Sequence, residues 1–199
     1  MSETYSILIV GVGGQGTILA GKVLARVAML RGQDVKFSEI HGMAQRGGSV
    51  VTQVRLGETV YSPTIDPGTA DVILAFEKLE ALRWSHMRKP GGALIMSTQT
   101  IMPMPVITGA AEYPSDVEER VARGGPVYAL DAFGMALAAG NPKASNTVLL
   151  GRMARELDVP RETWERALAD VIPEKFLAVN LRAFAAGWAF TTDGSTLSP

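Results

Sequence analysis

The stretch Tyr5-Ser-Ile-Leu-Ile-Val10, followed directly by Gly11-Val-Gly-Gly-Gln-Gly16, decides the fold. Residues 5–10 are apolar on both faces, which predicts a strand in the centre of a parallel sheet, and the glycines end it. From residue 17 to about residue 31 the apolar side chains repeat at helical spacing. Residues 35–39 predict a second strand. A strand, a helix and a strand within about forty residues have the size of a right-handed parallel α/β unit.

The rest of the chain continues this alternation. Residues 49–56 alternate between apolar side chains and the polar Gln53 and Arg55, which predicts an edge strand or a ribbon that faces a partner. Pro103 and Pro105 predict an extended connector. Further strands are predicted at 71–76, 93–97 and 127–129, and further helices at 77–86, 115–123, 144–157, 161–171 and 174–188.

Together these elements predict an α/β fold class. We expect a Rossmann-like open, mostly parallel sheet with helices on both faces and a helical C-terminal part. A chain of 199 residues, 47% of them hydrophobic, can build a substantial core. We therefore expect one domain over residues 1–190 and a flexible tail over residues 191–199, which are small and polar.

Composition excludes several classes of function. The net charge of −1 argues against a nucleic-acid partner, because binding a phosphate backbone requires a broad positive field. The absence of cysteine excludes disulfides, thiolate zinc sites and cysteine-ligated iron–sulfur clusters in this chain. No apolar run reaches the ~20 residues of a membrane helix, and the polar start is unlike a signal peptide. We expect a soluble, cytoplasmic protein without a membrane partner.

The motif GVGGQG at residues 11–16 fits the pattern G-x-G-x-x-G between a strand and a helix. Glycines let the backbone approach a ligand closely, and the helix beyond them presents free N–H groups to an anion. One interpretation is a nucleotide or another phosphate ligand; in its dinucleotide form, Glu39 would accept a ribose hydroxyl. The other interpretation is structural, with glycines that allow close packing of the helix or of another protein. The motif alone leaves both open.

A second cluster, HGMAQRGG at residues 41–48, follows the second strand. His41, Gln45 and Arg46 could face an anionic ligand at the carboxyl edge of the sheet. A turn in which Arg46 pairs with Glu39 is an equal alternative. His41 has no nucleophile or orienting acid near it in the sequence, which disfavours a catalytic base. With two histidines and no cysteine, a transition-metal site is not expected.

Other motifs of enzyme chemistry are missing from the sequence. The patterns of serine hydrolases, P-loop proteins and zincins do not occur. Asn146, at the start of the helix predicted near 144–157, is interpreted as structural because a polar side chain caps a helix start well. Asn180 is interpreted in the same way.

Six segments carry a resemblance to a known family. In order they are GVGGQGT (11–17), HGMAQRGGSVV (41–51), DVILAFEKLEALR (71–83), KPGGALI (89–95), SNTVLLG (145–151) and KFLAVNLRAF (175–184). Together they resemble the gamma-type domain of 2-oxoacid:ferredoxin oxidoreductases from residue 5 to about residue 188. The sequence of residues 41–48 resembles that of the indolepyruvate branch of this family.

The resemblance implies a division of labour between subunits. Members of this family decarboxylate a 2-oxo acid on thiamine diphosphate, pass electrons through iron–sulfur clusters to ferredoxin and release an acyl-CoA. This chain has no cysteine and no thiamine motif. Thiamine diphosphate, Mg and the iron–sulfur clusters are therefore expected on a larger partner subunit. This chain would hold neither a catalytic residue nor a metal and would be inactive alone.

In related enzymes this domain is associated with access of coenzyme A, so the resemblance implies contacts to coenzyme A or to the partner. The candidate residues are Gly11, Gly13, Gly14, Gln15, Gly16, His41, Gln45 and Arg46. Two alternatives stay open. One is a stand-alone NAD(P)-dependent oxidoreductase that uses residues 11–16 and Glu39, and the other is a purely structural or gating subunit.

Arg46 is predicted to recognise a ligand or a partner rather than to stabilise the fold. Its guanidinium can bind a carboxylate or a phosphate through two parallel hydrogen bonds, which lysine cannot reproduce. We expect Arg46→Lys to leave the melting temperature nearly unchanged. The same variant should weaken complex formation, or raise KM for 2-oxo acid or coenzyme A, roughly tenfold, about 1.4 kcal/mol. Wild-type assembly and turnover would reject the bidentate contact, and a sharp fall in melting temperature would assign Arg46 to folding.

Overall fold

One six-stranded sheet organises the described residues, which are 4–42 and 47–191 of this computed structural model. Its strands are β1 (Tyr5–Val12), β2 (Asp34–His41), β3 (Ser49–Gly57), β4 (Ala70–Ala75), β5 (Arg88–Ser97) and β6 (Val127–Leu130). Their order is β2-β3-β1-β4-β5-β6. The pairs β1–β4, β4–β5 and β5–β6 are parallel, and β3 is antiparallel to both of its neighbours. The predicted α/β fold class with a mostly parallel sheet is confirmed.

Helices flank this sheet and form the C-terminal part. They are α1 (Thr17–Leu30), α2 (Lys78–Trp84), α3 (Met104–Ile107), α4 (Val117–Ala122), α5 (Ala132–Ala138), α6 (Ser145–Ala154), α7 (Arg161–Val171) and α8 (Glu174–Ala189). Short 3-10 turns at Ser85–Met87 and Pro142–Ala144 lead into β5 and α6. Within residues 4–42 and 47–191, no helix is both long enough and apolar enough to cross a membrane.

Successive residues of β1 point to opposite faces of the sheet and enter two different cores. Ile7 and Ile9 pack with apolar side chains of α1, α6, α7 and α8. Leu8 and Val10 pack with α2 and α4 on the other face. All four side chains are fully buried, and burial of each stabilises the fold by roughly 1.5–3 kcal/mol. Helices cover both faces, in agreement with the apolar run at the start of the chain.

The prediction that the alternating strand β3 is an edge strand is wrong, whereas its alternative, a ribbon that faces a partner, stays a prediction. β3 lies between β2 and β1, and β2 is the edge strand on this side of the sheet. The chain that follows β3 covers its polar face. Gln53 Oε1 accepts a hydrogen bond from the N–H of Ile65 at 2.7 Å. Arg55 donates to the carbonyl oxygens of Ser62 and Thr64. The alternation therefore reflects a covering loop that pairs with these polar groups, rather than exposure to solvent.

The C-terminal helices α6 and α8 cross through glycine. A Cβ built on Gly187 would lie 1.8 Å from the carbonyl oxygen of Val148, and one built on Gly151 would lie 2.2 Å from that of Phe184. Only glycine lets the two backbones approach this closely. Since α6 begins at the carboxyl edge of the sheet, this contact also fixes the position of its first turn.

Most other element boundaries agree closely with the prediction, with three differences. β5 begins at Arg88 rather than at residue 93, so that Gly91 and Gly92 lie inside the strand. The connector predicted to be extended contains the one-turn helix α3, because Pro105 lies in its first turn, where the missing N–H breaks no hydrogen bond. Helix α5 has no counterpart among the predicted helices, although it lies in the part of the chain predicted to be helical. Residues 192–199 of the predicted tail lie outside the described residues.

Candidate functional site

The glycine loop, residues 11–16, connects β1 to α1 at the carboxyl edge of the sheet. The second loop, residues 41–48, connects β2 to β3. The N–H of Gly13 donates a hydrogen bond of 2.8 Å to the carbonyl oxygen of Gly48. The two motifs recognised in the sequence are therefore in direct contact.

The side chain of Gln15 connects the glycine loop to the ends of neighbouring strands through hydrogen bonds. Its Oε1 accepts from the N–H of Val12 at 2.7 Å. Its Nε2 donates to the carbonyl oxygen of Phe76 at 2.9 Å and to Gln99 Oε1 at 3.3 Å. Both amide hydrogens are thus used within the chain, and this side chain sets the shape of the loop. Gly11 serves packing as well, since a Cβ there would lie 3.1 Å from the Cβ of Phe76.

A first cavity, of about 370 Å³, brings the two loops together on one side of the glycine loop. It is lined by Gly13, Gly14, Gly16, Thr17, Ile18, Glu39, His41 and Val50. His41 is exposed, and its Nδ1 lies 3.1 Å from the carbonyl oxygen of Gly42. Gln45 and Arg46 lie outside the described residues, so their contacts, including the alternative ion pair with Glu39, stay predictions.

Glu39 borders the first cavity from β2 and accepts a hydrogen bond from Thr52 Oγ1 at 3.3 Å. In a dinucleotide-binding fold, the acid that binds the ribose lies on the strand next to the one that carries the glycine motif. Here β3 separates β2 from β1. Glu39 therefore lies two strand spacings, roughly 10 Å, from β1. This separation counts against the dinucleotide interpretation.

A second cavity, of about 480 Å³, lies on the other side of the glycine loop. It is lined by Gly14, Gln15, Gly16, Gln99, Ile101, Phe133, Pro142, Lys143, Ser145 and Asn146. Asn146 is only 7% exposed. Its Oδ1 accepts from the N–H of Thr147 at 2.8 Å, and the hydroxyl of Thr147 donates to Asn180 Oδ1 at 2.7 Å. Asn180 is therefore part of a buried hydrogen-bond network, as its structural interpretation implies.

The amide nitrogen of Asn146 faces the glycine loop. A Cβ built on Gly16 would lie 2.2 Å from Asn146 Nδ2. This nitrogen donates no hydrogen bond within the part of the chain that the structure describes. Because Asn146 lines the second cavity, this donor is available there to a ligand or a water molecule.

Two helix ends favour an anion at the second cavity. α1 follows Gly16 with neither a side-chain cap nor an acidic residue in its first turn, so the N–H groups of that turn are available to a ligand. The first turn of α6 also lacks an acidic residue, and its positive dipole end borders the cavity. Lys143 adds an exposed positive charge and forms no ion pair with any described residue. This arrangement fits a phosphate or a carboxylate.

Helix α2 anchors the far end of the second loop. Glu80 is buried, and its Oε2 accepts a hydrogen bond of 2.5 Å from the hydroxyl of Ser49. Its Oε1 accepts from Arg83 Nε at 3.1 Å. Because Ser49 is the first residue after the second loop, Glu80 fixes the point at which that loop rejoins the sheet.

Known proteins resemble this chain over nearly its whole length. Residues 6–190 match the pyruvate ferredoxin/flavodoxin oxidoreductase family. The chain belongs to this family. It is 40% identical to indolepyruvate oxidoreductase subunit IorB of Thermococcus kodakarensis over 191 residues, which cover 93% of this chain and 95% of that subunit. The resemblance drawn from the six segments, including its indolepyruvate branch, is confirmed.

Solved structures of the family share the fold. The gamma subunit of a keto/oxoacid ferredoxin oxidoreductase from Geobacter sulfurreducens matches with a TM-score of 0.69 and 26% identity, covering 92% of this chain and 96% of its own. A 2-oxoglutarate:ferredoxin oxidoreductase from Magnetococcus marinus matches with a TM-score of 0.73 and 24% identity. That match covers 99% of this chain and 32% of the other. The fold thus occurs both as a separate subunit and as part of a longer chain.

Sequence motifs identify the glycine loop and His41, but not the far wall of the second cavity. Asn146 lies in the first turn of α6 and its Nδ2 faces Gly16, whereas the sequence suggests only a helix cap there. Lys143 and Gln99 belong to no motif. The one available signal is the segment SNTVLLG, which contains Asn146 and belongs to the family resemblance.

Alanine substitutions at Gly14 and Gly16 test this geometry. Both glycines have φ in the left-handed region, 101° and 91°, so alanine is strained at either position by roughly 1–2 kcal/mol. Only at Gly16 does the new Cβ also collide with Asn146, since nothing lies within 4 Å of a Cβ at Gly14. We expect Gly16→Ala to lower the free energy of unfolding by about 1–3 kcal/mol more than Gly14→Ala in urea denaturation.

The matched control is the double variant Gly16→Ala/Asn146→Ala. It removes the colliding amide and leaves the Asn146 Cβ at 3.7 Å, an ordinary contact. The two substitutions should be coupled by roughly 0.5–3 kcal/mol in the stabilising direction. Strict additivity, or equal losses from Gly14→Ala and Gly16→Ala, would contradict the close approach of Gly16 to Asn146.

Proposed function

We propose that this chain is the subunit without a redox centre in an indolepyruvate-type 2-oxoacid:ferredoxin oxidoreductase. The complex would convert indolepyruvate, or a related aryl pyruvate, and coenzyme A to CO2 and the acyl-CoA, with two electrons passing to ferredoxin. The observation that carries this proposal is that the glycine loop and the second loop touch and border one cavity. Membership of the family supplies the class of reaction.

The redox cofactors belong to a larger partner subunit in this proposal. Iron–sulfur clusters take cysteine ligands, and this chain has no cysteine. Thiamine diphosphate is held through a divalent metal ion. The described residues bring together no group of three or more His, Asp or Glu side chains that could hold a metal. The iron–sulfur clusters therefore do not fit this chain. In the proposal the partner subunit binds them together with thiamine diphosphate and Mg and passes electrons to ferredoxin.

The second cavity is the candidate contact for coenzyme A. Coenzyme A carries a pyrophosphate and a 3′-phosphate, and the first turn of α1, the positive end of α6 and Lys143 all favour anionic groups there. Asn146 Nδ2 adds a donor without an acceptor, and the glycine loop lets a ligand approach its backbone. The Magnetococcus marinus enzyme was solved with coenzyme A bound, which supports this choice of ligand.

Two other functions have some support. A stand-alone NAD(P)-dependent oxidoreductase would use the glycine loop and Glu39, which border the first cavity, although β3 separates their strands. A purely structural or gating subunit would account for the internal hydrogen bonds of Gln15. In the main proposal residues 1–190 form one domain. In this proposal the complex is cytoplasmic and has no nucleic-acid or membrane partner. The net charge of −1 supports the exclusion of a nucleic-acid partner.

Reconstitution tests the proposed function. The larger subunit is identified by co-purification with this chain from the native host and is then purified separately. The isolated chain should bind no iron and should show no 2-oxo-acid-dependent reduction of ferredoxin. Addition of the larger subunit should restore reduction with indolepyruvate, with pyruvate and 2-oxoglutarate as control substrates. Turnover by the isolated chain, or tight binding of NAD to it in calorimetry, would overturn the proposal.

Reversal of the charge of Lys143 tests the coenzyme A contact. In the reconstituted complex, Lys143→Glu should raise KM for coenzyme A at least tenfold, about 1.4 kcal/mol, because attraction to a phosphate becomes repulsion. The kcat and the KM for the 2-oxo acid should stay near wild type. Lys22→Glu, an exposed position on α1, is the control and should change neither constant. An unchanged KM for coenzyme A would assign the second cavity to another ligand.

A further inference from the structure

The surface beside the second cavity is almost free of charge. Residues 98–115 contain one charged side chain, Glu112, and residues 126–142 contain one, Asp131, although 20% of the chain is charged. Large apolar side chains are exposed there instead, namely Met102, Met104, Ile107, Phe133 and Leu137. Depletion of charge together with exposed methionine and other apolar side chains is typical of the centre of a protein–protein interface.

One buried carboxylate holds both ends of a segment that we call the excursion, residues 101–113. Glu77 is 1% exposed, and its Oε2 accepts from the N–H of Glu80 at 3.0 Å at the start of α2. Its Oε1 accepts from the N–H of Ile101 at 3.0 Å and from the hydroxyl of Tyr113 at 2.7 Å. The two ends of a largely exposed segment therefore meet at a single oxygen atom.

This anchoring makes the excursion rigid at its base. Burial, together with the hydrogen bond to Glu77, raises the pKa of Tyr113 well above its ordinary value, so the hydroxyl keeps its proton and remains a donor. A carboxylate is taken out of water only where hydrogen bonds compensate for the loss of hydration, and three do so here. A segment held in one shape loses less conformational entropy when it binds a partner.

The excursion is also a wall of the candidate site. A third cavity, of about 300 Å³, separates it from the two loops, and the lining includes Val12 at the end of β1, Ser49 at the start of β3 and Met104. On its other side, Ile101 borders the second cavity together with Phe133. A protein that covers the excursion therefore covers the candidate site as well.

We infer that the excursion is a preformed docking element for the larger catalytic subunit, with Glu77 and Tyr113 as the positioning residues that hold it in shape. This assignment rests on the proposed function, because it takes the covering protein to be the subunit that carries the cofactors. Continuity of the excursion with the candidate site selects that subunit. Residues 98–115 and 126–142 contain no Lys or Arg, so the surface does not suit a membrane or a nucleic acid.

Binding of the purified larger subunit to the full chain, measured by calorimetry, tests this assignment. The double variant Met104→Ser/Ile107→Ser should raise Kd at least tenfold and leave the melting temperature near wild type, because both side chains are exposed. Met29→Ser is the matched control and should bind like wild type. Met29 is 59% exposed against 66% for Met104, and it lies at the opposite end of α1 from the glycine loop.

Tyr113→Phe tests the positioning role separately. It removes one hydrogen bond to Glu77 and leaves every exposed apolar side chain in place. We expect Kd for the larger subunit to rise about threefold or more through lost preorganisation. The kcat of the assembled complex at saturating partner should not change, which a distorted site would not allow. An unchanged Kd would remove the positioning role of this pair.

The remaining outcomes separate this assignment from the proposed function. Wild-type affinity in the double variant would overturn the docking element. Loss of self-association in sedimentation, with unchanged binding of the larger subunit, would assign the surface to a second copy of the chain and also overturn it. If the wild-type chain neither binds the larger subunit nor restores turnover, the proposed function itself fails.

Discussion

The close approach of the Gly16 backbone to Asn146 is the contact on which the candidate site depends. It places the first turn of α1 beside the first turn of α6 and directs an unused amide donor at the glycine loop. Any other residue at position 16 would combine a strained φ with an overlap. Because α6 is itself fixed against α8 through Gly151 and Gly187, the C-terminal helices set the width of the second cavity. The structural and the ligand-binding interpretations of the glycine motif are therefore compatible.

The antiparallel course of β3 explains how two separate motifs come to lie together. Because β3 runs against β1, its first residue, Ser49, pairs with Val12 at the carboxyl end of β1. Gly48, the residue before Ser49, therefore lies beside the glycine loop, where its carbonyl oxygen accepts a hydrogen bond from the N–H of Gly13. In an uninterrupted parallel arrangement β2 would occupy this place, and Glu39 would be next to β1. Because β3 lies between β2 and β1, the ribose-binding position is absent next to β1, and a contact between the two loops is found there instead.

Local patterns predict most elements of the fold but not the order of the strands. The apolar run at residues 5–10 identifies a central strand because a strand that is buried on both faces is apolar at nearly every position. The alternation of polar and apolar residues in β3 is the same whether its polar face contacts water or a covering loop. Gln53 and Arg55 are paired by residues 62–65, which are outside the strand. Such a contact is decided by tertiary structure and cannot be recognised from the strand alone.

The same limit applies to the candidate site. Its first half is predictable because the glycines and His41 belong to contiguous motifs that follow strands. Asn146 comes from a segment far along the chain, and only folding brings it to Gly16. Glu77 reaches residues 24 and 36 positions away through one oxygen atom, and in the sequence it resembles an ordinary acidic residue at a helix start.

In the proposed complex, the first turns of α1 and α6 and the uncharged surface beside the second cavity have complementary effects. In open solvent, the first turn of α1 and Lys143 would bind an anion weakly, because water competes for the same groups and screens the charge. A subunit that docks on Met104, Ile107 and Phe133 would displace this water, and the same dipoles and charge would then act in a medium of lower dielectric constant. In the proposed complex, these exposed apolar side chains would thus determine how strongly the polar groups of the second cavity can act. A chain without redox ligands can contribute to a redox reaction in this way, by forming one wall of a site that exists in full only when the partner covers it.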